Sequence, residues 1–206
     1  MRAHTAFSAL RRTCAAAMLA LPALALAAYP EKPITIIVPF AAGGPTDVLT
    51  RVIAERMARE LAQPMIVENT PGAGGTVGNA RAARAKPDGY TVLAGNVGTL
   101  AASNSFYRKL PYDMHKDFVG IASIGDAPQI VSARKDFPPT GLEALHDYVK
   151  PQESKVNFGA AGVGSGSYLG GVLLNNALGL NVEAINYRGA GQALTDVIAG
   201  HVDYMV

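Results

Sequence analysis

Cysteine is nearly absent from this sequence, and tryptophan is missing altogether. The single cysteine, Cys14, lies close to an apolar run over residues 15–28, which contains no acidic residue, follows three arginines and ends in small residues. This pattern is typical of a secretory signal peptide that is cleaved. We therefore predict that residues 1–28 are removed. The remaining chain can form no disulfide, which is compatible with export to a bacterial periplasm.

A long hydrophobic run and an excess of basic residues are also missing. The apolar part of the leader covers about fourteen residues, whereas a helix that spans a bilayer needs about twenty. Cleavage removes three of the 18 basic residues, so that 15 remain against 16 acidic residues. We therefore expect neither a membrane anchor in the mature chain nor a nucleic acid as its partner.

The sequence contains three glycine-rich loops, but none of them carries a complete nucleotide-binding motif. No lysine follows the glycines as a phosphate-binding loop requires, and the spacing of the dinucleotide-binding fingerprint fails in each loop. The three loops are found at residues 43–44, 71–75 and 162–167. We therefore predict no nucleotide cofactor.

Catalytic and metal-binding motifs are incomplete as well. Ser165 and Ser167 lack the glycine two positions earlier that a nucleophile elbow needs. Asp113, His115 and Asp117 alternate in a loop, but no second histidine or cysteine accompanies them to complete a metal site. We predict no catalytic residue, no metal ligand and no cofactor, and therefore a protein that is not an enzyme.

A strand followed by a glycine loop and a helix is the first pattern that is present. Residues 34–38 are apolar and rich in β-branched side chains, which predicts a buried parallel strand. Gly43 and Gly44 follow, and we expect Thr46 or Asp47 to cap the next helix. Backbone amides at the start of a helix favour an anion, and open α/β sheets bind ligands at this end of their strands. An ordinary strand-to-helix turn is the alternative.

The same pattern continues along the chain. Apolar positions at three- and four-residue steps predict which face of the first helix is buried. That face consists of Val48, Leu49, Val52, Ile53, Met57 and Leu61. Further strands are predicted at residues 65–68, 90–94, 118–124, 129–133, 156–160 and 182–186, and further helices at residues 76–85, 140–149, 168–178 and 192–199. Thr140 is expected to cap the helix that follows it. The alternation predicts an α/β protein with parallel or mixed sheets flanked by helices.

The domain organisation follows from a change of pattern near residue 126. We predict a first lobe over residues 29–126 and a partial second lobe over residues 127–206. The last predicted strand runs to the end of the sequence without a terminal helix or a polar tail.

Six segments in this order resemble the Bug family, the extracytoplasmic solute receptors of tripartite tricarboxylate transporters. They are YPEKPITIIVPFAAGGPTD, VENTPGAGGTVGNA, KPDGYTVL, LPYDMHKDF, the glycine-serine loop of residues 158–167, and NYRGAGQALTDVIAGHVDYM. The resemblance implies a two-lobed periplasmic binding protein of the type II-like class, incomplete at the C-terminus. Such a receptor is expected to be a monomer that captures a small carboxylated metabolite and delivers it, by transient contact, to membrane transporter subunits. A sensing role with a histidine kinase as partner is the alternative, and an α/β enzyme is the competing class.

The resemblance also implies where a ligand would bind. Two loops are expected to face each other, and further strand ends contribute additional residues. The implied ligand-binding residues are Phe40, Ala41, Ala42, Gly43, Gly44, Thr46, Asp47, Asn96, Ala160, Gly162, Gly164, Ser165, Ser167, Tyr187, Arg188 and Gly189. Asp47 could instead be only a helix cap, and Arg188 could instead face only solvent.

The sequence departs from the family pattern at several positions. Thr70, Ala160 and Tyr168 stand where arginine, serine and histidine are common in the family. The last two lie at the mouth of the second-lobe loop, and they affect the identity of the ligand rather than the fold. Family members also continue well past residue 206. If residue 206 is the true end of the chain, we expect a first lobe with exposed apolar surface and a product that is poorly soluble or inactive, and stabilisation of the chain by a ligand would overturn this expectation.

Overall fold

Three parallel strands form the first sheet of the protein, in a computed structural model that describes residues 29–126 and 128–206. The sheet has the order β2-β1-β3. Its strands are β1 (Ile34–Val38), β2 (Met65–Asn69) and β3 (Thr91–Leu93). The β-branched residues of β1 are buried on both faces because this strand lies in the centre of the sheet. The predicted parallel sheet is confirmed. The predicted signal peptide lies outside the described residues.

Helices connect these strands. Helix α1 (Pro45–Leu61) follows β1, and a short 3-10 turn (Ala73–Gly75) leads into helix α2 (Thr76–Ala83) after β2. After β3, a π-helical turn (Gly98–Ala102) continues into the short helix α3 (Ser103–Phe106). Every helix predicted for this part of the chain is therefore present.

The buried face of α1 agrees only partly with the predicted one. Asp47, Thr50 and Ala54 are the buried residues of the helix, whereas the side chain of Val52 is 62% exposed and Val48 and Leu49 are also exposed. Ile53, Met57 and Leu61 are half-buried, so the second half of the predicted face is correct, but the most buried side of the helix is turned away from Val48, Leu49 and Val52. The predicted cap is also wrong, since Gly44 is the N-cap residue and no side chain caps the helix there.

The segment that leads towards the second sheet contains less strand than predicted. Residues 118–126 form no strand, so the prediction of a strand at residues 118–124 is wrong. Val119 is 90% exposed and Ile121 is 78% exposed. The β-branched pattern is real, but a strand needs a paired neighbour, and none of the described strands pairs with this segment.

The second sheet is mixed and has the order β4-β7-β5-β6. Strand β5 is parallel to β6 and β7, and β4 is antiparallel to β7. The strands are β4 (Ser132–Ala133), β5 (Asn157–Ala160), β6 (Glu183–Asn186) and β7 (Tyr204–Met205). The helices are α4 (Leu142–Val149), a 3-10 turn (Lys150–Lys155), α5 (Gly166–Ala177) and α6 (Ala190–Ala199).

The helix ends of the second half agree only partly with the prediction. Gly141 rather than Thr140 is the N-cap of α4. Gly200 ends α6 in the left-handed conformation that glycine favours at this position, as the sequence predicts.

The main core packs around aromatic side chains of the second sheet. Phe158 and Tyr204 stack with ring centroids 5.9 Å apart, and Phe137 lies next to Tyr204. A second core cluster contains both Phe40, which follows β1, and Ala161, which follows β5. Lys32–Val206 form one compact unit, and this shared cluster joins the residues around the two sheets.

Two further sequence predictions concern the organisation of the chain. Within the described residues, no helix is both long enough and apolar enough to cross a membrane. The lobe boundary at residues 126 and 127 stays a prediction, and residue 127 lies outside the described part.

Candidate ligand-binding site

The loop after β1 is held by a network of hydrogen bonds around Asp47. The Gly43 amide donates to Oδ2 of Asp47 over 2.9 Å. Arg51 and Asn69 donate to the same carboxylate through Nε at 3.1 Å and Nδ2 at 2.9 Å. Asn69 Nδ2 also donates to the carbonyl oxygen of Phe40 at 3.0 Å. The carboxylate therefore fixes the glycine loop from the third residue of α1.

The charge of Asp47 follows from these contacts. Burial would raise the pKa of Asp47, but the hydrogen bonds from Arg51, Gly43 and Asn69, together with the charge of Arg51, lower the pKa below its ordinary value of 3.8. The carboxylate is ionised near neutral pH and has its acceptor positions occupied. Asp47 therefore supports the loop through Gly43 and Asn69 and does not cap the helix, contrary to its alternative interpretation from the sequence.

The loop after β5 is fixed by its own hydroxyl groups. Ser165 is the N-cap of α5, and its Oγ accepts from the Tyr168 amide at 3.2 Å. Ser167 Oγ accepts from the Ala161 amide at 2.9 Å, and the two hydroxyl oxygens are 3.2 Å apart. Both serines thus hold the turn that follows the strand.

The second glycine-rich loop, after β2, lies against this turn. A Cβ atom on Gly74 would overlap the carbonyl oxygen of Val163, and a Cβ atom on Gly162 would lie 3.0 Å from the Gly74 nitrogen. Tyr107 donates its hydroxyl hydrogen to the Val163 oxygen at 2.7 Å. The two glycine loops therefore meet through their backbones, and only residues without a side chain permit this approach.

The loop after β6 contacts the loop after β1. The Ala41 amide donates to the Arg188 carbonyl oxygen at 3.2 Å, and the Arg188 amide donates to Oε1 of Gln192 at 3.2 Å. A Cβ atom on Gly189 would lie 2.9 Å from the Ala41 Cβ. The two loops that the sequence analysis places in the site from the ends of β1 and β6 therefore touch each other.

A cavity of about 580 Å³ lies where these loops converge. It is lined by the 3-10 turn after β2, the loop after β5 and the end of β6. The lining residues are Gly72, Ala73, Gly74, Tyr107, Ala161, Gly162, Val163, Asn186, Tyr187, Arg188 and Gln192. This volume suits a small ligand.

Arg188 is the only charged residue among the described residues that line the cavity. None of the described residues that line it is acidic, and Arg188 is exposed. Burial, and then the hydrogen bond to Asp196 at 2.6 Å and the charge of that residue, raise the pKa of Tyr187 to about 12. Burial also raises the pKa of Tyr107. Both phenols are therefore neutral near pH 7 and add no charge to the lining.

The structure brings together only some of the residues implied by the family resemblance. Gly162, Tyr187 and Arg188 line the cavity. Phe40 and Ala160 have buried side chains, and Asn96 uses its Oδ1 to accept from the amides of Gly98 and Thr99. The remaining implied residues are Ala41, Ala42, Gly43, Gly44, Thr46, Asp47, Gly164, Ser165, Ser167 and Gly189, and they shape the neighbouring loops. Their contact with a ligand stays a prediction.

The sequence analysis misses several residues of the cavity wall. It identifies the second glycine loop, residues 71–75, but assigns it no ligand. Gly72, Ala73 and Gly74 nevertheless line the cavity, and Ala73 has a left-handed backbone with φ of 45°. Asn186 is the last residue of β6 and Gln192 lies in the first turn of α6, so their position around the end of a strand was the available signal.

The acidic loop around His115 forms a turn rather than a metal centre. The Asp113 amide donates to Asp117 Oδ2 at 2.8 Å, and the His115 amide donates to Asp113 Oδ1 at 2.9 Å. Across residues 29–126 and 128–206, no cluster of side chains is suited to hold a metal ion.

Comparison with known proteins identifies a family. Residues 49–206 match the family model described as tripartite tricarboxylate transporter family receptor. A UPF0065 protein of Bordetella pertussis is 40% identical over 198 residues, which cover 96% of this chain and 61% of the relative. The chain spans 50% to 62% of the length of the curated relatives that it matches.

Solved structures show the same fold. The periplasmic binding protein BugD is 39% identical with a TM-score of 0.77, and the match covers 86% of this chain and 59% of BugD. MatC from Rhodopseudomonas palustris, with bound malate, is 41% identical with a TM-score of 0.83, covering 86% of this chain and 60% of MatC. The predicted α/β fold of a periplasmic binding protein is confirmed. The family consists of receptors rather than enzymes, as the sequence analysis predicts.

Proposed function

This chain belongs to the tripartite tricarboxylate transporter family of receptors, and from this we propose that it is a periplasmic receptor for a small carboxylated metabolite. The cavity among the glycine loops is the observation that supports the proposal. Its volume suits a small ligand, its described lining includes no acidic residue, and Arg188 is one of the lining residues.

The position of the cavity agrees with this role. Its wall includes the segments that follow β2, β5 and β6, and ligands of open α/β sheets bind outside the carboxyl ends of the strands. Backbone amides and an arginine can hold carboxylate oxygens without any reactive group. MatC, which is similar in sequence and fold, holds malate.

The remaining parts of the proposal concern delivery and location. We propose that the chain reaches the periplasm through a signal peptide at residues 1–28 and passes its ligand to membrane transporter subunits by transient contact. A monomeric receptor would suffice for both steps, and a histidine kinase remains the alternative partner.

A thermal-shift screen of the 206-residue chain tests the proposal. The panel contains monocarboxylates, dicarboxylates, tricarboxylates, amino acids and aromatic acids, and each acid is paired with its neutral amide. We expect at least one acid to raise the melting temperature, since a ligand at a hundredfold excess over its Kd stabilises the folded state by about 3 kcal/mol. The matched amide should have little effect. If no acid stabilises the chain, the proposed function is wrong.

A further inference from the structure

We infer that Arg188 is a specificity-determining residue, positioned by Gln192, which selects ligands that carry a second anionic group. The inference rests on the proposed function, because it concerns the same cavity. It goes beyond that function by assigning one charge of the ligand to one side chain.

The first argument is that the backbone of Arg188 is fixed. Its carbonyl oxygen accepts from the Ala41 amide and its own amide donates to Gln192 Oε1, both at 3.2 Å. Gly189, the next residue, packs so closely on Ala41 that a Cβ atom would lie 2.9 Å from the Ala41 Cβ. The side chain of Arg188 therefore starts from a fixed point on the cavity wall.

The second argument is that the charge of Arg188 is not neutralised within the described part of the chain. Five other arginines each form an ion pair with an aspartate or glutamate, and they are Arg51, Arg56, Arg59, Arg81 and Arg134. Arg188 has no such ion pair among residues 29–126 and 128–206. A guanidinium group offers a planar fork of donors that matches a carboxylate.

The third argument is that the cavity offers a separate place for a first carboxylate. The turn at Gly72 to Gly74 and the loop at Gly162 and Val163 form another part of the same lining. The Ala161 amide beside them is already used by Ser167. Backbone amides in loops with left-handed residues form concavities that suit anions. A ligand with one carboxylate can occupy this part without Arg188, whereas a ligand with two uses both.

Pairs of acids that differ only in one carboxylate separate these two cases. The pairs are malonate and propionate, succinate and butyrate, and adipate and hexanoate. Their Kd values are measured by calorimetry for the full 206-residue chain and for Arg188→Gln, Arg188→Lys and Gln192→Ala. Arg84→Gln removes an exposed positive charge from the end of α2, outside the cavity lining, and serves as the matched control.

We expect Arg188→Gln to weaken the binding of the diacid roughly 10- to 100-fold, as the loss of a charge-assisted hydrogen-bonded pair would. The monoacid should lose less than about threefold, since it does not use the guanidinium group. Arg188→Lys should give an intermediate loss because a lysine retains the charge without the fork. Gln192→Ala should reduce the preference for the diacid in the same direction, and Arg84→Gln should leave it unchanged.

The outcomes distinguish the two proposals. If no acid binds the unmodified chain, the proposed function is wrong. If acids bind and Arg188→Gln weakens both members of a pair equally or neither of them, the receptor function stands and the role of Arg188 is wrong. Circular dichroism of each variant identifies any that has lost its fold, and Arg188→Lys then decides whether the preference depends on the guanidinium group.

Discussion

Gly74 shows how strongly a single glycine constrains this molecule. The Gly74 backbone approaches the Val163 carbonyl so closely that a Cβ atom would overlap the oxygen, and its own φ is 59°. A replacement must therefore move one backbone loop away from the other, because no flexible side chain can yield instead.

We expect Gly74→Ala to lower the free energy of unfolding by about 1–3 kcal/mol, as overpacking and a left-handed alanine do. The measurement is chemical unfolding followed by circular dichroism. Gly120→Ala is the control, because Gly120 has no atom within 4 Å of its Cβ position and is exposed. Equal effects of the two replacements would contradict the close approach of the loops.

Asp47 has a pH dependence that follows from its contacts. The pKa of Asp47 is lowered in the folded protein, so its contribution to stability is present above its ordinary value of 3.8 and is lost as the pH falls through the folded pKa. We expect Asp47→Asn to reduce the free energy of unfolding by about 1–3 kcal/mol at pH 7, because charged acceptors are lost.

The difference between Asp47→Asn and the unmodified chain should shrink when unfolding is repeated below pH 4. Asp136→Asn removes an exposed carboxylate and should show almost no difference at either pH. A difference for Asp47→Asn that is constant from pH 7 to pH 3 would show that its charge does not support the loop.

The helix α5 is the element whose start depends most clearly on one side chain. Ser165 is its N-cap and accepts from the Tyr168 amide, whereas α1 begins at Gly44 without a capping side chain. We expect Ser165→Ala to reduce the free energy of unfolding by about 1 kcal/mol.

Thr46→Ala is the matched control for the cap, because Thr46 lies in the first turn of α1 and does not cap it. Its effect on thermal unfolding should be the smaller of the two. If Thr46→Ala destabilised the chain as much as Ser165→Ala, the assignment of the caps would be incorrect.

The elements that the sequence predicts well are those with local signals. The β-branched residues of β1 favour a strand, and the glycine at the end of α6 favours the end of a helix. Both signals lie within the element itself. The strand predicted at residues 118–124 does not form, because a strand needs a pairing partner and the residues of the segment do not encode one. The buried face of α1 was predicted only in part for a related reason. The position of the sheet, which the residues of the helix do not encode, leaves Val48 exposed and buries Ala54.

Part of the candidate site could also be predicted from the sequence. Gly162, Tyr187 and Arg188 follow strands, so their position beside a cavity could be derived from the order of elements. The place of Gly72 and Gly74 in the cavity wall could not be predicted, because the sequence contains three glycine loops and only the tertiary structure determines which of them meet.

The segment that follows β3 contacts the segment that follows β5, and these contacts link the two halves of the molecule. Tyr107 donates to Val163, and the rings of Phe106 and Tyr168 meet edge to face with centroids 5.5 Å apart. The first member of each pair follows β3, and the second follows β5. These contacts hold the turn after β5 against the first half.

We expect Tyr107→Phe to reduce the free energy of unfolding by about 1 kcal/mol, because the Val163 oxygen loses its donor. Hydrogen exchange of the amides at residues 72–75 and 162–164 should become faster, since these loops meet at that oxygen. Tyr148→Phe removes the same atom from a tyrosine whose hydroxyl has no hydrogen-bond partner in the described chain, and it should change neither quantity. Unchanged exchange in Tyr107→Phe would contradict the link.

The two phenols in the cavity wall give the molecule an optical property. No tryptophan is present to dominate its emission, so the fluorescence of the protein comes from its tyrosines. Tyr107 and Tyr187 lie in the wall, and each donates to an oxygen of the protein. A ligand that enters beside them alters the surroundings of both rings. Occupancy of the cavity can therefore be followed by the intrinsic tyrosine fluorescence of the unlabelled chain.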